Sequence, residues 1–178
     1  MNETETLGLE KFYGKYRATV ENNIDLLNMG RIQVSVPDVS IIPLLTWAMP
    51  CVPIAGTQMG VFVIPQIKSG VWVEFEQGDP DYPIWVGGFW GSVADVPALA
   101  LTPAPPAGVN IVLQTSFQNT LMLSDAPGPA GGILLKTTTG AFISVSDGII
   151  TISTGGGGAS IVLAGPTVTI NQGALVIT

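Results

Sequence analysis

The sequence predicts an all-β protein in two parts, a small closed barrel followed by an array of short stacked strands. Three observations carry this. Apolar residues recur at every second position in segment after segment, and no stretch keeps a helical period beyond a turn or two. Twenty-two glycines and 14 prolines punctuate these segments. Charge is unevenly shared: beyond residue 95 the chain carries only Asp125, Lys136 and Asp147.

The first part reads as follows. Residues 16–22 mix β-formers and close on turn residues. Residues 30–37 alternate Ile32, Val34 and Val36 with Arg31, Gln33 and Ser35, a strand with one wet face. Residues 71–76 place Val71, Val73 and Phe75 on one side; residues 77–81 form a turn, and residues 84–87 return. About five short strands in this length fit an OB-fold barrel. We assign residues 1–11 to an acidic N-terminal arm and 12–95 to the barrel. The four prolines of residues 96–109 read as a stiff, extended linker.

Residues 110–178 carry an internal repeat. Residues 115–125 align with 137–147 at an offset of 22, so that Leu121 and Leu123 match Ile143 and Val145, and Ser124-Asp125 matches Ser146-Asp147. Further pairs set two apart follow: Ile150/Ile152, Ile161/Leu163, Val168/Ile170 and Leu175/Ile177. Each strand is short, has one apolar stripe, and has no helix to cover it. Three identical chains winding about a common axis would bury the stripes, turn the Ser/Thr faces outward and pair the strand edges. The residues expected in that trimer core are Leu121, Leu123, Ile143, Val145, Ile150, Ile152, Ile161, Leu163, Val168 and Ile170.

Composition removes several functions. Without histidine there is no Ser-His-Asp or Cys-His catalysis and no imidazole metal site. A single cysteine, Cys51, forms no intrachain disulfide and no Cys-based zinc site. Six basic residues against 13 acidic ones, a formal charge of −7, argue against a nucleic-acid partner. Residues 1–10 are acidic and lack an apolar core, so no secretory signal is expected there. Mean hydropathy is +0.48, yet the long uncharged stretch of residues 148–178 is broken by glycines and a proline and is not expected to span a bilayer as a helix.

Some groups admit a sharper reading than the bland one. Glu74 and Glu76 share a strand face and could be a glycosidase carboxylate pair, but strand acids are ordinarily just solvated. Trp47, Trp72, Trp85 and Trp90 could stack a sugar, although aromatics in so small a barrel are more often core or subunit contacts. Cys51 reads as a buried small apolar group. Residues 155–158 are a glycine turn, or a bend where chains pass closely, and lack the Lys-Ser/Thr of a phosphate loop. Asp125 and Asp147 recur at matched turns, where capping is the commoner role than ion binding. No enzyme, cofactor or metal site is assigned.

Several ordered blocks resemble a known family. They are Tyr13-Gly14-Lys15-Tyr16, residues 28–37, residues 47–53, Ala55-Gly56, and above all residues 70–88 with Glu74-Phe75-Glu76-Gln77-Gly78-Asp79 and Trp85-Val86-Gly87-Gly88. These resemble the OB domain of the contractile-tail central spike family, the phage baseplate assembly protein V and VgrG-type proteins. Residues 110–178 resemble the family's needle repeats, which form a triple-stranded β-helix from three chains. The resemblance implies a homotrimeric spike below a baseplate hub protein, driven through a target envelope and its membrane when the sheath contracts. It implies assembly in the bacterial cytoplasm and later exposure at the target envelope. Two departures are plain: the place of a lysozyme domain holds only the Pro-rich stretch, and no histidine exists to bind iron at the tip. Leu175, Val176, Ile177 and Thr178 are therefore expected to contact a separate PAAR-type tip protein. The alternative is an OB-type carbohydrate-binding module with a β-rich tail.

Overall fold

The computed structural model describes residues 10–40, 46–102 and 110–177. Among these the only helical pieces are short 3-10 turns, and the chain divides into two units between Val93 and Ala94. Each unit is described separately.

The first unit contains β1 (Tyr16–Asn22), β2 (Gln33–Ser35), β3 (Met49–Pro50), β4 (Ala55–Gly56), β5 (Met59–Gly60), β6 (Gly70–Phe75) and β7 (Pro83–Phe89). Five of them form one sheet in the order β2-β1-β6-β7-β3, and β4 pairs with β5 as a separate hairpin. All pairings in the large sheet are antiparallel except β3 with β7. An antiparallel bridge between Ile32 and Ala48, with N···O distances of 3.2 and 2.8 Å, joins the two outer strands. The sheet thereby closes on itself in the OB manner. Bulges at Val20/Asn22 and Trp72/Val73 allow the bending that closure needs.

The alternation seen in the sequence decides which face is inside. Val20, Ile32, Val34, Val36, Val71 and Val73 are completely buried, with Phe75 and Trp85 beside them. Phe12 and Tyr16 pack against this core, their rings 6.1 and 5.5 Å from Phe75. The strand expected over residues 71–76 ends one residue earlier, because Glu76–Gly78 turn as a 3-10 segment.

The second unit begins with a 3-10 turn, Ala98–Leu101, inside the Pro-rich stretch. The Asn110 amide donates to the Leu99 carbonyl at 2.7 Å, holding that turn against the following strand. Residues 103–109 of the expected linker lie outside the described residues, as does most of the expected arm. Eight strands follow: β8 (Asn110–Gln114), β9 (Thr120–Ser124), β10 (Gly132–Lys136), β11 (Phe142–Ser146), β12 (Ile149–Ser153), β13 (Ser160–Ala164), β14 (Thr167–Ile170) and β15 (Leu175–Ile177). They form one antiparallel sheet in chain order.

The 22-residue repeat is two strands of this meander, so β9 and β11 run the same way. Its turns are built alike. The Thr115 amide donates to Asn119 O, and the Thr137 amide to Ala141 O, at 3.0 and 2.8 Å. Connections of two to seven residues return each strand beside its predecessor. The six inner strands are therefore paired on both sides within one chain, and no partner chain is needed to pair those edges. The glycine turn at residues 155–158 is also an intrachain device: a Cβ on Gly155 would lie 2.4 Å from the Gly140 carbonyl of the adjacent turn.

Replacing the fully buried Ile32 by alanine should cost about 2–5 kcal/mol, lost packing plus a residual cavity. The shift in the urea unfolding midpoint, with the slope unchanged, measures it.

Candidate functional site

The register of the second sheet aligns its apolar residues in two unbroken ladders. One runs Ile111, Leu123, Ile133, Val145, Ile150, Leu163, Val168, Ile177. The other runs Leu113, Leu121, Leu135, Ile143, Ile152, Ile161, Ile170, Leu175. Every rung is Ile, Leu or Val, and residues two apart on a strand share a face. At a strand spacing of about 4.8 Å, eight strands make a face about 34 Å long. Most of its side chains remain between 38% and 67% exposed within one chain. Only Leu121, Val168 and Ile170 are half-buried. A continuous aliphatic face of this kind is an association surface.

All ten residues expected in the trimer core lie on this one face. Sequence reasoning missed Ile111, Leu113, Ile133 and Leu135. They sit in the apolar runs Ile111-Val112-Leu113 and Ile133-Leu134-Leu135, outside the 22-residue alignment that marked Leu121 and Leu123. Only pairing with β9 and β11 assigns them a side. Leu175 and Ile177, expected at the tip, are the last rungs of the same ladders. The side chain of Val176 and the whole of Thr178 lie outside the described residues.

The opposite face, expected to carry Ser and Thr, does so only in part. Its middle row passes from Val112, Met122 and Leu134 to Ser144, Thr151, Val162 and Thr169. Met122, Thr120 and Ser124 are buried there. The apolar start coincides with the strand that the Ala98–Leu101 turn is tied to.

The first unit carries a second surface. Asp25 is buried, and its carboxylate accepts from the Arg31 guanidinium at 2.6 Å and from the amides of Leu27 and Met29 at 3.0 and 2.9 Å. The Arg31 guanidinium holds the Asp25 carboxyl well below the usual carboxylate range; burial opposes this and the loop amides add to it. The same pairing raises Arg31. The residues so pinned are apolar and project outward: Ile24, Leu26, Leu27 and Met29 are exposed, Leu26 at 87%. Gly30 follows at φ +78°, a conformation that favours glycine, and its carbonyl accepts the Trp85 indole N–H at 3.0 Å. Beside this loop lies a groove of about 490 Å³, walled by Met29, Pro50, Met59, Phe62, Ile64 and Trp85.

The other candidates are engaged elsewhere. Glu74 is ion-paired with Lys15, and Glu76 belongs to the turn after β6 rather than to the strand face. Trp85 is in the core, Trp72 packs against Phe89 and Arg17, and Trp47 lies under the Arg31 guanidinium; Trp90 is exposed. Cys51 is exposed, contrary to its reading as a buried group. Asp147 accepts from the Gly128 amide at 3.3 Å, a turn-binding role. Among the described residues no three metal-ligating side chains gather, and no helix is long and apolar enough to cross a membrane.

Residues 16–90 match the family model for the type VI secretion system/phage-baseplate injector OB domain. Residues 110–176 match that for the phage baseplate V C-terminal trimerisation domain. The chain belongs to the phage baseplate V spike family. No curated protein matches it. The two matches leave only residues 1–15, 91–109 and 177–178 uncovered. They place this chain in a structural, spike-type role in a phage baseplate or type VI system, and the trimerisation domain is the unit that carries the two ladders.

An aspartate at Ile152, in mid-ladder, should abolish assembly, because a carboxylate would be buried without a partner. Light scattering should then give the 18.5 kDa chain instead of three times that mass.

The Asp25 loop has a signed pH dependence. In the unfolded chain Asp25 takes up a proton near its ordinary value, about 4, whereas the folded site resists. Its stabilisation is complete above that range and drains as pH falls below it. Between pH 7 and pH 3 the wild-type urea midpoint should fall further than that of Asp25→Asn.

Proposed function

We propose that this protein is the membrane-piercing central spike of a contractile injection system, joining the tube hub to the tip and driven through the target envelope on contraction. The carrying observation is the pair of aliphatic ladders on a unit that matches a trimerisation domain. Three copies with these faces inward make a rod with a dry aliphatic core. Breaking such a rod requires many interstrand hydrogen bonds to open together, which suits a part that bears load.

The apolar loop of Ile24, Leu26, Leu27 and Met29, stiffened by Asp25 and Arg31, supports a protein contact at the barrel, and the hub is the partner we assign to it. In the second unit β15 has a neighbour, β14, on one side only among the described residues. Its free edge, with Leu175 and Ile177 beside it, supports capping by a separate PAAR-type protein. We place assembly in the bacterial cytoplasm and action at the target envelope.

Sparse charge favours passage. A charged side chain at mid-bilayer costs on the order of 3 kcal/mol, and residues 148–178 carry none. Lysines at Thr151 and Thr169, on the outward face, should slow penetration while leaving the trimer intact. Delivery assays with wild-type and Thr151→Lys/Thr169→Lys particles test this; unchanged delivery by assembled particles counts against the piercing role.

A further inference from the structure

The second sheet has two long edges made of turns. One carries residues 115–119, 137–141, 154–159 and 171–174; the other carries 125–131, 147–148 and 165–166. The three charged residues of this unit beyond Asp95 are divided between them. Lys136 ends β10 at the first edge. Asp125 follows β9, and Asp147 follows β11, at the second edge. All three are exposed, and Lys136 has no ion-pair partner among the described residues.

The ladders decide how copies can meet. Were β15 of one copy to pair with β8 of the next, three sheets of eight strands would close into a very wide barrel. A barrel of even 16–18 strands already leaves an aqueous lumen, so its apolar side chains would stay wet. The ladders are buried only if the threefold axis runs along them, in front of the apolar face. Rotation about that axis brings the first edge of every copy against the second edge of its neighbour, a heterologous contact that closes.

The same rotation keeps every residue at its own height. Lys136 on β10 then lies between the heights of β9 and β11, about one strand spacing of 4.8 Å from each. Asp147 is drawn toward that height by its bond to the Gly128 amide in the β9–β10 turn. We propose that the needle unit trimerises edge to edge with Lys136 of one copy set against Asp125 and Asp147 of the partner subunit. This pairing keys the axial register. Aliphatic ladders with the same residue types on every rung would otherwise tolerate a slip along the axis. The inference rests on the trimeric reading.

The test uses the full chain with Cys51→Ser, so that no native thiol reacts. Lys136→Cys and Asp147→Cys are introduced singly and together and treated with a short bismaleimide. The double variant should give covalent dimers and trimers on a denaturing gel, and each single variant should give monomers only. A trimer by light scattering that fails to cross-link in the double variant overturns the edge assignment. So does cross-linking by Lys136→Cys alone, which would bring like edges together. A monomeric mass for the Cys51→Ser parent overturns the trimeric reading itself. As a second readout, Lys136→Glu should lower the trimer's dissociation midpoint, and Lys136→Glu with Asp125→Lys and Asp147→Lys should recover it. No recovery from a folded triple variant overturns the charge pairing.

Discussion

An aliphatic face without a second layer is the constraint on which the second unit depends. A sheet that is apolar on one side must bury that side. Among the described residues of this unit there is no second layer: the eight strands form one sheet, and its ladders remain exposed. Association buries that face, in keeping with the match to a trimerisation domain. The short turns follow from the same demand, since longer connections would let strands leave the meander and break the ladders.

The two kinds of surface in this spike differ in how they are held. The ladders are held by backbone pairing and act through area; at about 25 cal/mol per Å² of apolar surface removed from water, many aliphatic side chains together dominate the energetics. The barrel loop is held by a single buried carboxylate, which satisfies a guanidinium and several loop amides at once. A polar centre thus presents an apolar rim without the rim collapsing onto the barrel core. The pairing proposed for Lys136 is of a smaller scale, since exposed ion pairs contribute roughly 0.2–1 kcal/mol.

Much of this was legible in the residues. The alternation at Ile32, Val34 and Val36 and at Val71, Val73 and Phe75 told which side of each strand would be inside, because a period of two leaves one choice. The 22-residue offset marked the strand pair that repeats. The Asp25–Arg31 pair was not legible: a short loop gives no sign that its one carboxylate will be enclosed by the chain around it. Nor was the groove beside Met59 and Phe62, whose walls come from segments far apart in sequence.

The sequence by itself determined that the protein is all-β, that it has no histidine chemistry, and that its second part carries apolar stripes at every second residue. Those conclusions need only local periodicity and composition. Tertiary structure alone decided that the stripes join into two ladders, that Ile111, Leu113, Ile133 and Leu135 belong to them, and that Lys136 and the two aspartates occupy opposite edges. The reason is register. Which residue lies beside which across a sheet depends on the length and bonding of every turn, and no single strand contains that information.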